Sequence, residues 1–160
     1  MEIEPSSKPT KIEAYNNLEL ELTKCEQVNF KYVHRFTPGL YAREMFIPKG
    51  TLIGGALHKT QHMFVISMGE ISTCDVSGNV VHMKAPFTGV TEVGTRRFGF
   101  AHEDTIMTSF HATDETDPDK IAEQIVDMRA NPLLSESDVA AMPLWTRNHT
   151  TIIETNLIEP

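Results

Sequence analysis

Several features that would assign a function quickly are missing from this sequence. Two cysteines in 160 residues, Cys25 and Cys74, supply neither a disulfide framework nor a cysteine metal cluster. Both thiols are expected to stay reduced, as in a cytosol. No apolar run approaches the roughly 20 residues that a membrane helix needs. The N-terminus, MEIEPSSKPT, is acidic and without an apolar centre, so no secretory signal is expected. There is no Gly-rich phosphate loop opening a helix, no strand–helix–strand alternation and no G-x-S-x-G nucleophile elbow. A dense basic stripe of the kind that binds duplex phosphates is also absent, as is a Lys/Arg-lined amphipathic helix for a membrane surface. Nucleic acid and membranes are therefore not expected partners.

What is present is ordinary globular material, 40% apolar and 22% charged, in a length that suits one domain. Charge is unevenly distributed. Residues 1–28 carry three bases and six acids, residues 29–112 eight bases and six acids, and residues 113–160 three bases and ten acids. A mildly basic centre thus lies between two acidic ends.

The centre, 29–112, consists of short runs rich in Val, Ile, Phe, Tyr and Thr: Phe30–His34, Leu40–Ile47, Thr51–Ala56, His62–Met68, Glu70–Val76, Val80–Met83, Gly89–Val93, Arg96–Ala101 and Thr105–His111. Gly, Pro and Asn punctuate them at close intervals, the pattern of an antiparallel sandwich or barrel. Ser77-Gly78-Asn79 predicts a hairpin turn. The first sixteen residues read as an arm, and Asn17–Cys25 alternates Leu18, Leu20 and Leu22 with Glu19 and Glu21, which predicts an edge strand. Beyond residue 112 the periodicity turns helical. Asp117-Pro118 starts a helix whose apolar face is Ile121, Ile125 and Met128. A second helix opens at Ser135 with Asp138 three residues on, and should stop before Pro143. The eight methionines suit core filling.

Seven histidines are present, and two of them bracket HKTQH. In a strand over 62–68, His62 shares a face with Phe64, Ile66 and Met68 and should point inward. His58 has the same parity across a Lys-Thr-Gln turn. The pair are either metal ligands for Zn, Fe, Ni or Mn or hydrogen-bonded interior histidines. His102 continues the parity of Arg96, Phe98 and Phe100; it, His34 or His111 could supply a third ligand. A second constellation, Arg43, Lys59, Arg96 and Arg97, could line an anion pocket, or pair with the nearby acids Glu44, Glu92, Glu103 and Asp104.

The run IPKGTLIGGALHKTQHMFVISMGEIS resembles the first motif of the cupins, small antiparallel jelly-roll barrels, of form G-x5-H-x-H-x(3,4)-E-x6-G. Counting back from Gly69, His62 takes the glutamate position, His58 the second histidine and Ala56 the first. In PFTGVTEVGTRRFGFAHED, Gly94 matches the glycine of the second motif and Arg97 stands at its histidine. The resemblance implies a jelly roll over residues 29–112 and one divalent metal (Fe, Mn, Ni or Zn). Of the four usual ligand positions, however, one is kept, one holds another possible ligand and two are lost. FTPGLYAREMFIPKGT, VGTRRFGFAHEDT and HATDETDPDKI further resemble cupin-like proteins of tailed bacteriophages, which implies an infected bacterial cytoplasm or a virion.

The expected architecture is an all-β, small antiparallel jelly-roll barrel with an N-terminal arm (1–28) and an acidic helical tail (113–160). Three functions follow. The leading one is a non-enzymatic virion or assembly component whose ends hold a homo-oligomer or other phage proteins. The second is a metal-dependent isomerase or dioxygenase using His58 and His62 with His102 or another third histidine. The third is a protein that binds a small anionic, nucleotide-like ligand through Arg43, Lys59, Arg96 and Arg97.

Overall fold

The computed structural model describes residues 8–28, 30–127, 129–141 and 151–152. Helix α1 (Lys11–Thr23) precedes ten strands: β1 (Lys31–Thr37), β2 (Leu40–Ile47), β3 (Leu52–Gly54), β4 (Leu57–His58), β5 (His62–Met68), β6 (Glu70–Asp75), β7 (Val80–Lys84), β8 (Phe87–Thr91), β9 (Arg97–Ala101) and β10 (Thr105–Ala112). Then come α2 (Pro118–Ile125), β11 (Val126–Asp127), α3 (Glu136–Ala141) and β12 (Thr151–Ile152). A six-stranded sheet in the order β12-β1-β2-β10-β5-β8 faces a four-stranded sheet in the order β3-β9-β6-β7, and β4 pairs with β11. From β2 onward the chain passes repeatedly from one sheet to the other, and every pairing except β1–β12 is antiparallel. This is the antiparallel barrel that the strand pattern predicts, and the jelly roll that the motif resemblance implies. No helix among the described residues is long and apolar enough to cross a membrane.

Strand alternation builds the interior. β2 sends Tyr41, Arg43, Met45 and Ile47 inward, and β5 sends His62, Phe64 and Ile66. Met68 does not continue that face. The β5–β10 register shifts between Ile106 and Met107, and Met68 turns out to 40% exposure. Two glycines make turns that other residues could not. Gly78, at φ +83, closes the β6–β7 hairpin, with the Asp75 carboxylate accepting from the Ser77 and Asn79 amides at 2.8 and 2.9 Å. Gly69, at φ +87, carries the chain from β5 to β6 alone, and a Cβ there would lie 2.2 Å from the Asp104 carbonyl oxygen.

Residues 17–25, expected as an edge strand, are instead the end of α1 (to Thr23), its C-cap Lys24 and the bend at Cys25. Thr10 caps the helix reciprocally with Glu13, and Leu and Glu both favour helix. The buried positions are Tyr15, Asn16 and Glu19, a helical spacing. Because two of the three are polar, the alternation of leucines dominated the sequence reading. α1 docks on the outer face of the smaller sheet. Tyr15 packs on Phe98 with ring centroids 4.1 Å apart. Arg96, just ahead of β9, lies over Tyr15, donates to Asn16 Oδ1 at 2.7 Å and pairs with Glu19. Asn131 donates to the Asn16 carbonyl at 2.9 Å and to Glu19 Oε2 at 2.8 Å. Helix α1 and the segment at Asn131 are thereby tied to the barrel.

α2 begins as expected, with Asp117 as N-cap and Pro118 in the first turn. Ile121 and Ile125 join the barrel's apolar cluster; Met128 lies outside the described residues. Ser135 and Asp138 cap α3 reciprocally. Its expected stop before Pro143 falls outside the described residues.

Removing one member of a buried charge pair strands the other. Glu19→Ala should therefore cost about 3 kcal/mol, against about 1 kcal/mol for removing the exposed cap with Thr10→Ala. Urea unfolding of the two variants measures both.

Candidate functional site

Between the sheets lies a cavity of about 730 Å³, within the usual range for a small-molecule site. Its apolar wall is supplied by Phe64, Met45, Met83, Met107, Ile53 and Ile71. The segment following α1, from Cys25 to Phe30, closes one side. The polar groups include Arg43 and Ser109 from the larger sheet, His62 and Thr91 at the β5–β8 pair, Arg97 from β9 and His58 from β4, with the acids Glu19, Glu26 and Asp127 elsewhere on the wall.

Adjacent residues of an extended strand point to opposite faces, so Arg96 and Arg97 have different fates. Arg96 faces outward beneath α1 and is held by Glu19 and Asn16. Arg97 faces the cavity. It donates to Thr91 Oγ1 and lies 5.5 Å from the centre of the Phe64 ring. Among the described residues no carboxylate lies within ion-pair distance of Arg97. Burial depresses its pKa, opposed by Asp75 and Tyr15. Arg43 is buried, and its pKa is likewise lowered by burial, opposed by Tyr41 and Tyr32. Lys59 does not line the cavity. Its backbone amide bonds the Ile125 carbonyl at 2.8 Å and its ammonium bonds the Glu123 carbonyl, at the C-terminal end of α2, where a cation is favoured. The nearby acids that could have absorbed these cations go elsewhere: Glu44 pairs with Arg35 at 3.4 Å, Glu92 accepts from Gln61, and Asp104 caps the Lys49 amide.

The expected pair of imidazoles does meet: the His58 and His62 rings are 4.7 Å apart. The third ring beside them is that of His111, 4.4 Å from His62. His102 is not there. It lies on the outer face of the smaller sheet, with Nε2 2.7 Å from Ser72 Oγ. Parity could rank His102 and His111 equally, because it says which face of a strand a residue takes and not which strands are neighbours. β10, which carries His111, pairs directly with β5, which carries His62. His34 is buried one step further away, bonding Tyr41 Oη at 2.7 Å, with Tyr41 stacked between it and His111.

All three clustered histidines are held neutral. Burial is the main cause in each case, lowering the pKa to about 3 for His58, about 4 for His62 and about 2 for His111. Arg43 pushes all three further down, and Arg97 does so for His58 and His62. His58 Nδ1 and His111 Nδ1 are buried with no hydrogen-bond partner among the described residues.

The single Fe, Mn, Ni or Zn that the motif resemblance implies does not fit these residues. Among the described residues no three His, Cys, Asp or Glu side chains are placed to hold a metal ion. Glu19, Glu26 and Asp127 also line the cavity, but Glu19 is taken up by Arg96, and the charges that act on the His58 and His62 imidazoles are the Arg43 and Arg97 guanidiniums. Beside these rings an anion is favoured over a dication.

Comparison with known proteins agrees on the fold. No family model matches the chain, and no curated protein is detectably similar in sequence. Among solved structures, the ectoine synthase of P. lautus is similar over 64% of this chain and 78% of its own, with a TM-score of 0.51 at 11% identity. The salicylate 1,2-dioxygenase of Pseudaminobacter salicylatoxidans is similar over 69% of this chain, with a TM-score of 0.50 at 11% identity. The chain spans about a third of that enzyme, 34% of its length. An uncharacterized protein with a double-stranded β-helix domain from Klebsiella pneumoniae matches over 56% of this chain, with a TM-score of 0.44 and 17% identity. At these identities the likeness is one of fold alone, an antiparallel β-barrel of the jelly-roll kind.

Neutral burial has a consequence for stability. The folded pKa of each clustered histidine lies below the roughly 6.5 of an unfolded chain, so the unfolded state binds more protons as pH falls. Stability is complete above about pH 6.5 and is lost below it, by on the order of 1–2 kcal/mol per histidine between pH 7 and 5. Urea midpoints measured across that range should fall, and His111→Gln should flatten the slope.

Proposed function

We propose that this protein binds a small anionic organic molecule inside its barrel, with the acidic group on Arg97 and Arg43 and the apolar body against the Phe64 and methionine wall. The observation that carries this reading is Arg97, a cavity-facing guanidinium steadied by Thr91 and Phe64 and without a carboxylate partner among the described residues. A bidentate carboxylate or phosphate supplies what such a group lacks. Neutral imidazoles add short-range donors and acceptors without a charge that would repel the guanidiniums. The other reading that the sequence raised, a phage assembly component acting through its ends, has less to draw on. α1 spends its buried polar contacts on this chain's own Arg96 and Asn131, and the segment after α1 walls the cavity.

The test is thermal unfolding against benzoate, hexanoate, a nucleoside monophosphate and inorganic phosphate. A ligand at a hundred times its Kd adds about 2.7 kcal/mol, which raises Tm by roughly 5 °C or more in a chain of this size. Losing a charge-assisted hydrogen bond, as in Arg97→Met, should weaken binding about 10-fold or more. If no anion shifts Tm, or if Arg97→Met binds as tightly, the cavity reading fails.

A further inference from the structure

The outer face of the smaller sheet carries a second cluster of chemically capable side chains, separate from the cavity. β6 exposes Glu70 and Ser72 on that face while Ile71 between them is buried in the core. β7 pairs His82 directly opposite Ser72, and β9 pairs Phe100 opposite it on the other side. The distances are those of hydrogen bonds: Glu70 Oε1 to His82 Nε2, 2.8 Å; His82 Nδ1 to Ser72 Oγ, 2.9 Å; and His102 Nε2 to Ser72 Oγ, 2.7 Å. Lys84 holds the other carboxylate oxygen of Glu70 at 3.3 Å.

Proton bookkeeping fixes the direction of this chain. A carboxylate only accepts, so His82 donates to Glu70 through Nε2–H. In the neutral ring that leaves a lone pair on Nδ1, facing the Ser72 hydroxyl. Ser72 has one proton and gives it to His82. Its oxygen can then only accept from His102, through Nε2–H. The serine is thus bonded to a base which is oriented by a carboxylate, and a further N–H donor lies at the serine oxygen. Nucleophile to base, and base to orienting acid, are the relations that activate a serine.

We propose that Ser72 is an activated serine that accepts an acyl group from activated esters, with His82 as its general base and Glu70 as the residue that positions His82. Ser72 Oγ forms a bond to the acyl carbon, the bond from that carbon to the leaving oxygen breaks, and the serine proton passes to His82 Nδ1 and on to the leaving group. Water then attacks the acyl carbon, His82 takes its proton, and Ser72 leaves with a proton restored. The net change is ester plus water to acid plus alcohol. His102 Nε2–H, bonded to Ser72 Oγ, holds the serine oxygen in place between the two imidazoles. Phe100, 41% exposed beside Ser72, offers an apolar seat for the acyl chain. Access is open, since the His82 side chain is 55% exposed.

The experiment is labelling of the full chain with p-nitrophenyl acetate and, in parallel, with a fluorophosphonate probe, the site being mapped by peptide mass spectrometry. The expected result is one label per chain on Ser72, abolished in Ser72→Ala and slowed about 100-fold or more in His82→Gln. These groups lie at the surface, and unchanged Tm values would show that the variants fold. The charged and titratable groups facing His82 are Glu70, Lys84 and His102. Removing the carboxylate with Glu70→Gln should move the pH of half-maximal labelling downward, because the imidazolium loses its counter-charge. Label on other residues, a Ser72 rate unaffected by His82→Gln, or a pH profile unmoved by Glu70→Gln would each overturn the arrangement. The cavity reading is untouched by any of these results, since Arg97 lies on the opposite face of the sheet.

Discussion

Taking a guanidinium out of water costs several kcal/mol unless something replaces its hydration, and this barrel withdraws Arg43, Arg96 and Arg97 from solvent to different degrees. Much of the structure follows from how each cost is met. Arg96 is met by the chain itself at both terminal nitrogens, though not at Nε: a carboxylate from Glu19, an amide oxygen from Asn16 and the face of Tyr15. Those three groups all lie on α1, so the helix is held where Arg96 needs it. Asn131 then locks the segment after α2 to the same carboxylate. Arg97, one residue on and turned inward, receives a hydroxyl and an aromatic face. These neutral groups orient the charge without cancelling it.

The histidines follow from the same fields. β5 and β10 are neighbours, so their inward residues His62 and His111 meet, and the β4 strand brings His58 alongside. Cations already occupy the interior, and three imidazolium charges would add to them. Burial and the two arginines therefore keep the rings neutral. Arg97, at the position that the motif resemblance gives to a histidine, puts a cation where a neutral donor would stand, and a cation there favours an anionic ligand.

The strands, the jelly roll, the Ser77–Asn79 turn and the start of α2 were legible because each depends on local pattern: alternation, a glycine at positive φ, an Asp-Pro start. The meeting of His58 and His62 was legible for the same reason. What escaped was non-local or polar. α1 was read as a strand because its buried face is Asn16 and Glu19 as much as Tyr15, and hydrophobic periodicity does not register a buried ion pair. His102 shares its parity with Arg96, Phe98 and Phe100, but parity does not say which face of β9 is the inner one; theirs is the outer face, and His102 lies there beside His82. Arg96 and Arg97 were grouped together, although neighbouring strand residues must diverge. That last rule was available from the sequence and separates the two arginines correctly.

Alternation also explains how one thin sheet serves two surfaces. On β6, Ile71 and Thr73 turn to the cavity while Glu70 and Ser72 turn away from it. α1 could have covered the whole outer face, but its contacts run from the Ser77 carbonyl, held by Lys11, past Phe98 to Gly54, where Leu22 approaches the glycine. Beyond that footprint Phe100, Ser72 and His82 stay accessible. Ile71 and Ala101, at 1% and 0% exposure, form a dry layer between the two surfaces. No polar group bridges that layer at these two positions, so charge on an anion at Arg97 has no hydrogen-bonded route through them to His82. A ligand in the barrel should therefore stabilise the fold without altering the chemistry of the outer face.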